Sequence, residues 1–318
     1  MSSIWPLIRS FGILALAVVA LWLVSVLALN LTLFSAGGHV LSYLRAMESG
    51  DYGLAATKAG LSRAPRVLPV ATQKLSDPHI IATRSLASGN LLVQAQYEID
   101  GAQSETVFVV EPSESVLWFF DTWRFTSIPL SSLQFAIIGD HRLSVNGVEL
   151  DARAMGVPPR ESVLVPGVYE SSWATPWVEA AKQRSVITEV DSTTSIRLRL
   201  EPTVELVDVT VSAVEDFLHD CVDQAVLQPA SCPFGVTIDD RVIGEPAWTI
   251  VDYPSVTLSL SADRAAWSMF ASGGVVEVDV QVQSLFDGTI TNKVETFDFN
   301  LSGMVRGTTI DEPVLNLD

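Results

Sequence analysis

No charged residue interrupts the chain between Arg9 and Arg45, and most of that interval is apolar: "FGILALAVVALWLVSVLALNLTLF", Phe11 to Phe34. A water-exposed helix could not solvate such a run. About 20 apolar residues carry a helix across the hydrocarbon layer of a bilayer. The run therefore predicts a transmembrane helix over 11–36 behind a short cytosolic tail, 1–10, with only Gly12, Ser25, Asn30 and Thr32 as mild exceptions to its apolar character. A cleaved signal peptide is the competing reading, and "SAG" from Ser35 to Gly37 resembles a cleavage site. Signal peptides, however, usually have an apolar region of about 7–15 residues. The helix is expected to stay as an anchor.

Basic residues do not orient it. Arg9 lies on one side, while Arg45, Lys58, Arg63 and Arg66 follow on the other. The short leading tail and the cysteine usage of the remainder point outward, so the large C-terminal part is expected to be extracytoplasmic.

That remainder is acidic. The chain carries 37 Asp and Glu against 19 Lys and Arg, a formal net charge of −18. No cluster of basic residues is dense enough to track phosphates, which excludes nucleic acid as a partner and makes anionic lipid or polymer a poor one. At 318 residues the chain suits more than one domain.

The hydrophobic pattern beyond the anchor separates three segments. In 37–132, Val40, Leu41, Leu44 and Met47 recur at helical spacing, Gly50 breaks the run, and a second short helix follows. The pattern then alternates: "HIIATRSL", "NLLVQAQYEIDGAQSETVFVVE" and "SVLWFFDTWRFTSIP" are expected strands, with Asp100-Gly101 as a hairpin turn. Segment 133–204 is smaller and β-rich. Its "HRLSVNGVEL" is a hairpin around Asn146-Gly147, "VLVPGVYESSW" a strand entered through Pro166-Gly167, and "TSIRLRLEP" a strand with Ile196, Leu198 and Leu200 on one face. Segment 205–318 returns to helix before sheet. Ser212 and Glu215 fit a capping box, with Val214, Phe217, Leu218, Cys221 and Ala225 behind them at helical spacing. Strands follow, with "ASGG", Ala271 to Gly274, as a turn and Asp287-Gly288 at the tip of a long hairpin.

Cys221 and Cys232 are the chain's two cysteines. Two thiols this close could form a metal half-site, a redox pair or a staple. A zinc site would need further ligands, and helical geometry turns His219 away from Cys221. A redox centre more often has Cys-x-x-Cys spacing. Outside the membrane the pair is expected to form a disulfide.

Other chemistry is sparse. His39, His79, His141 and His219 come with no nucleophile motif, and Gly-x-Ser-x-Gly, His-Glu-x-x-His and phosphate-binding glycine loops do not occur. No catalytic residue, metal ligand or cofactor is expected. The aromatic cluster of the first sheet, Trp118, Phe119, Phe120, Trp123 and Phe125, belongs largely to a core. Trp118, Phe120 and Trp123 are nevertheless candidate contacts for a sugar or peptide at the mouth of a curved sheet.

A single anchor, the helix "SYLRAMESGDYGLA" leading into a sheet, a small β segment carrying "VNGVEL" and "VPGVYE", and a second helix-first sheet together resemble the teicoplanin-resistance-associated membrane proteins of Gram-positive bacteria. The β segment is also similar to the PEGA type of surface domain, through Asn146-Gly147 and Pro166-Gly167-Val168-Tyr169. The helix-first segments resemble NTF2-like folds. The chain departs from the family in having no zinc ribbon before the anchor. The resemblance implies two α+β NTF2-like domains flanking a small β-sandwich-like domain, in a single-pass protein of a Gram-positive cell envelope. Its modules would bind an envelope protein or wall fragment without catalysis. A membrane-tethered enzyme using an NTF2-like cone is the alternative.

Overall fold

The computed structural model describes residues 5–71, 75–115, 119–261, 266–307 and 313–317, with side chains from residue 14 onward. Among these the fold is mainly β, with four α-helices. The first helix, α1 (Trp5–Leu31), contains the stretch Leu14–Leu31, whose mean hydropathy is 2.5 and none of which is buried. It is long and apolar enough to cross a membrane.

A short turn follows, and then α2 (Ala36–Ser49) begins. The Ser35 hydroxyl caps it by accepting from the Gly38 N–H at 2.9 Å, and Gly50, at φ +77°, ends it in the left-handed conformation that favours glycine. The turn is too tight for a side chain at position 38: a Cβ there would lie 2.2 Å from the Thr32 carbonyl oxygen. Next, α3 (Tyr52–Lys58) is capped by the Asp51 carboxylate.

Two compact units divide the chain. One comprises 1–136, 143–171 and 182–197, the other 137–142, 172–181 and 198–318. In the first, β1 (Ser76–Ser85), β2 (Leu91–Ile99), β3 (Ala102–Pro112) and β4 (Trp123–Phe125) form an antiparallel sheet in that order. Asp100 and Gly101, at φ +57° and +72°, make the β2–β3 turn that the sequence predicts. The buried face of α2 (Val40, Tyr43, Leu44 and Met47) packs with Val93, Ala95, Tyr97, Phe108, Val110 and Phe125 in one core.

The expected strand across "SVLWFFDTWRFTSIP" is overextended. Among the described residues of this stretch only Trp123–Phe125 form a strand, while Phe119 and Phe120 turn their rings toward the first helix and the turn after it. Those contacts replace the alternation of a strand.

The β-rich middle of the chain contributes β5 (Leu130–Ile138), β6 (Arg142–Val145), β7 (Val148–Asp151), β8 (Arg160–Leu164), β9 (Gly167–Ala174), β10 (Val178–Ile187), β11 (Thr193–Arg199) and β12 (Glu201–Pro202). They form two sheets, ordered β12-β10-β9-β6-β7 and β11-β5-β8. Asn146 and Gly147, both at positive φ, turn β6 into β7. Ile196, Leu198 and Leu200 are buried while Arg197 and Arg199 are exposed, as the alternation in this segment requires.

In the second unit α4 (Val204–Val222) precedes a six-stranded sheet of β13 (Arg241–Val242), β14 (Ala247–Asp252), β15 (Ser255–Leu260), β16 (Trp267–Gln283), β17 (Ile290–Arg306) and β18 (Val314–Leu317). The helix starts earlier than the capping-box signal places it. Thr203, directly after Pro202, is the N-cap and accepts from the Leu206 N–H, so Ser212 lies inside the helix and Ala225 beyond its end. "ASGG" is likewise no turn. It sits within the 17-residue strand β16 as a bulge, the register with β17 shifting between Ala271 and Gly274. At Gly274 an added Cβ would come within 2.4 Å of the Phe299 ring, so the bulge leaves room for that buried side chain.

Candidate ligand groove at the end of the first helix

The junction of α1 and α2 builds a groove of about 810 Å³ within the first unit. Leu31, Leu33, Phe34 and Leu41 line it from the helices and the turn between them, Ile80 and Leu91 from β1 and β2, and Trp123 from β4. Gly37 faces Ile80 of β1, and a Cβ there would meet it in ordinary contact at 3.5 Å. Polar groups ring this apolar floor: Arg45, His79, Asp121 and Asn30.

Several of these groups have a structural cause for their position. Trp123 is held by its indole N–H, which donates to the Phe34 carbonyl at 2.9 Å. Asn30 donates through Nδ2 to the Phe119 carbonyl at 2.7 Å and accepts the Asp121 N–H on Oδ1 at 3.2 Å. The exposed His79 ring bonds the Asp77 carbonyl through Nδ1 at 3.0 Å and Gln96 Oε1 through Nε2 at 3.1 Å; these contacts, the Asp77 carbonyl foremost, raise its affinity for a proton. A groove of this size and lining fits part of an amphipathic ligand, with apolar surface below and charge or hydrogen bonds at the rim.

A second cleft, about 740 Å³, opens beside it and shares Trp123. Lys58, Glu111 and Arg124 flank it, with Arg124 Nε paired to Glu111 Oε1 at 2.6 Å. His39 stands at this cleft, its ring 4.9 Å from that of Phe125. Its Nε2 is buried and has no hydrogen-bond partner among the described residues. Burial, then the nearby Lys58 charge, lowers its pKa to about 4, so it is neutral at pH 7.

The aromatic candidates gather at this junction in part. Trp123 lines both cavities, and Phe120 stacks on Phe34, a groove residue, with ring centroids 4.4 Å apart. Trp118 lies outside the described residues. Asn30, Phe34, Arg45 and His79 were not singled out from the sequence as site residues. Of these only Asn30 had a visible signal, as an amide inside an otherwise apolar run.

In the second unit Cys221 and Cys232 form a disulfide, with Cα atoms 5.8 Å apart. Cys221 lies on the buried face of α4, and the Gln224 side chain braces the returning loop through the Ala230 N–H and carbonyl. The His219 Nε2 meets the Tyr253 hydroxyl at 3.0 Å. Among the described residues no group of three His, Cys, Asp or Glu could hold a metal ion. The chain matches no protein-family model, no curated protein and no solved structure.

Proposed function

We propose that this is a single-pass envelope protein, anchored by α1, whose extracytoplasmic modules bind or scaffold without catalysis. The observation that carries this reading is a disulfide in a folded region that follows an apolar, unburied helix. Disulfides persist in oxidising compartments, so the Cys221–Cys232 bridge favours the outer side of the membrane for everything after the helix.

The binding role draws support from the interior of the first unit. Where a helix-and-sheet cone would hold converging polar groups in an enzyme, Tyr43, Leu44, Met47, Val93, Phe108 and Phe125 fill the space. The groove at the α1–α2 junction remains as the place for a ligand, and its mixed lining suits a wall fragment or an envelope-protein segment. Both units put a helix ahead of a sheet, which agrees with the NTF2-like resemblance. The Asn146-Gly147 and Pro166-Gly167 turns agree with a PEGA-like module in the middle of the sequence.

Protease added to wall-stripped intact cells tests the orientation: the acidic region after α1 should be digested, and its protection would reverse the assignment. Affinity capture with the full chain in detergent, followed by mass spectrometry of bound glycans and proteins, tests the binding role. Loss of the captured species in Trp123→Ala would assign it to the groove.

A further inference from the structure

The connection from β3 to β4 leaves the sheet through a closed base, where the Ser113 N–H donates to the Thr122 carbonyl at 2.8 Å. Beyond that base, Phe119 and Asp121 lie against one face of α1. The Phe119 ring meets Trp22 edge-on at 5.2 Å between centroids, and the Asn30 amide holds the Phe119 carbonyl and the Asp121 N–H. Trp22, Val26 and Asn30 are spaced by four residues and so share that face. The sequence has no charge between Glu114 and Asp121.

Depth follows from helix geometry. From Arg9, the last charge before the run, α1 rises about 20 Å to Trp22 and about 32 Å to Asn30. A charge is costly in hydrocarbon, so Arg9 belongs at or beyond one boundary of a layer about 30 Å thick. Asn30 then falls near the opposite boundary and Trp22 roughly 10 Å inside it. Tilting the helix shortens its rise along the membrane normal and places Trp22 deeper still. Phe119, packed on Trp22, goes with it.

Irregular backbone at such depth persists only where its polar groups are satisfied internally. Asn30 meets that demand by pairing one carbonyl and one N–H of the connection, which accounts for an amide inside the apolar run. Phe119 keeps 36% of its surface exposed, and Leu23, Val24 and Leu27 on the neighbouring helix are exposed as well.

We infer that Phe119 and Phe120, at the end of the β3–β4 connection, form a second membrane contact, with Phe119 entering the lipid beside α1 and Phe120 at the interface. The partner is the bilayer itself, and the contact seats the first unit on the membrane instead of leaving it on a free stalk. This inference rests on α1 spanning the bilayer.

The test uses the full chain in liposomes of phosphatidylcholine and phosphatidylglycerol, with a nitroxide attached at Phe119→Cys, Leu27→Cys or Val294→Cys and the native disulfide intact. At Leu27 and at Phe119 collisions with oxygen should exceed those with a water-soluble nickel complex; at the exposed Val294 the order should reverse. A water-like signal at Phe119 beside a lipid-like signal at Leu27 overturns the inference while leaving the anchor in place. Water-like signals at both would remove the span and the inference together. Because Phe119→Cys could disturb the fold, the unsubstituted chain is also labelled from a lipid carrying a photoreactive acyl chain. Adducts on Phe119 or Phe120 support the contact, and adducts confined to α1 reject it.

Discussion

The Tyr43 hydroxyl donates to the Val165 carbonyl at 2.5 Å, joining the middle of α2 to the strand end 122 residues later in the chain. Both residues are fully buried, and Tyr169 serves the adjacent Leu164 carbonyl in the same way at 2.7 Å. Two neighbouring carbonyls that water cannot reach are thus each satisfied by a phenol. Tyr43→Phe keeps the ring and strands the Val165 oxygen, so it should cost about 1–3 kcal/mol in urea unfolding of the full chain in detergent.

The same burial makes the first unit sensitive to alkali. Desolvation raises the pKa of Tyr43 and Tyr169 well above the usual phenol range and that of Tyr97 to about 12. These groups stay neutral when folded but ionise in the unfolded chain near pH 10, so their stabilisation is complete below about pH 10 and declines as pH rises above it. Tyrosinate absorbance should therefore show these three ionising in step with loss of tertiary structure. Titration of all five tyrosines of the chain ahead of unfolding would contradict the packing described here.

His39 produces the opposite dependence. Its folded pKa, about 4, lies below the ordinary imidazole value of 6.5, so below pH 6.5 the unfolded state binds a proton that the folded state resists. The stability it contributes is present above pH 6.5 and is lost as pH falls toward 4. In NMR its ring signals should remain those of neutral imidazole down to about pH 4. His39→Phe, which suits the neighbouring Phe125 ring, should flatten the acid limb of the stability profile between those values.

Asn146 illustrates what the sequence displays and what it conceals. Its place before Gly147 between alternating apolar residues marks a hairpin, because such a turn needs two residues at positive φ. In the fold the same side chain also clamps two other segments, as Nδ2 donates to the Leu68 carbonyl at 2.7 Å and the Val168 carbonyl at 3.2 Å, while Oδ1 accepts the Glu170 N–H at 2.7 Å. Asn146→Gly should retain the turn and lose the clamp, costing about 1–3 kcal/mol by denaturant unfolding. Asn146→Asp, unable to donate, should fall nearly as far.

Features set by short-range geometry were legible in this way: the apolar helix, the Asp100-Gly101 and Asn146-Gly147 turns, and the alternation at Ile196, Leu198 and Leu200. Features set by partners distant in sequence were not. Ser212 and Glu215 have the spacing of a cap, yet Thr203 is the N-cap, because the helix extends further back toward Pro202. Nothing local to Phe119 and Phe120 shows that Trp22 and Phe34 will draw them off a strand. The groove escaped for the same reason: Asn30, His79 and Trp123 meet only once β1 and β4 are placed beside the end of α1.

The Cys221–Cys232 bridge closes a loop of 11-residue separation at the end of α4. In the chain-entropy account such a loop restricts the unfolded ensemble by ~3 kcal/mol. Cys221 is also 1% exposed, on the face of α4 shared with Leu206, Val214 and Leu218, so its replacement removes a little core volume as well. Cys221→Ala with Cys232→Ala should therefore weaken the second unit by about 2–4 kcal/mol. Because the first unit's Tyr43 core shares none of these contacts, its unfolding should be unaffected. Hydrogen exchange localises the effect: amides near the C-terminal end of α4, around Leu218 to Val222, should exchange faster, while those of β16 and β17, paired along 17-residue strands, keep most of their protection. Equal acceleration throughout the sheet would mean that the bridge supports the whole unit and not only the helix end. Unchanged exchange at Leu218 to Val222 would show that the Gln224 bonds to Ala230 are enough to hold the loop without it.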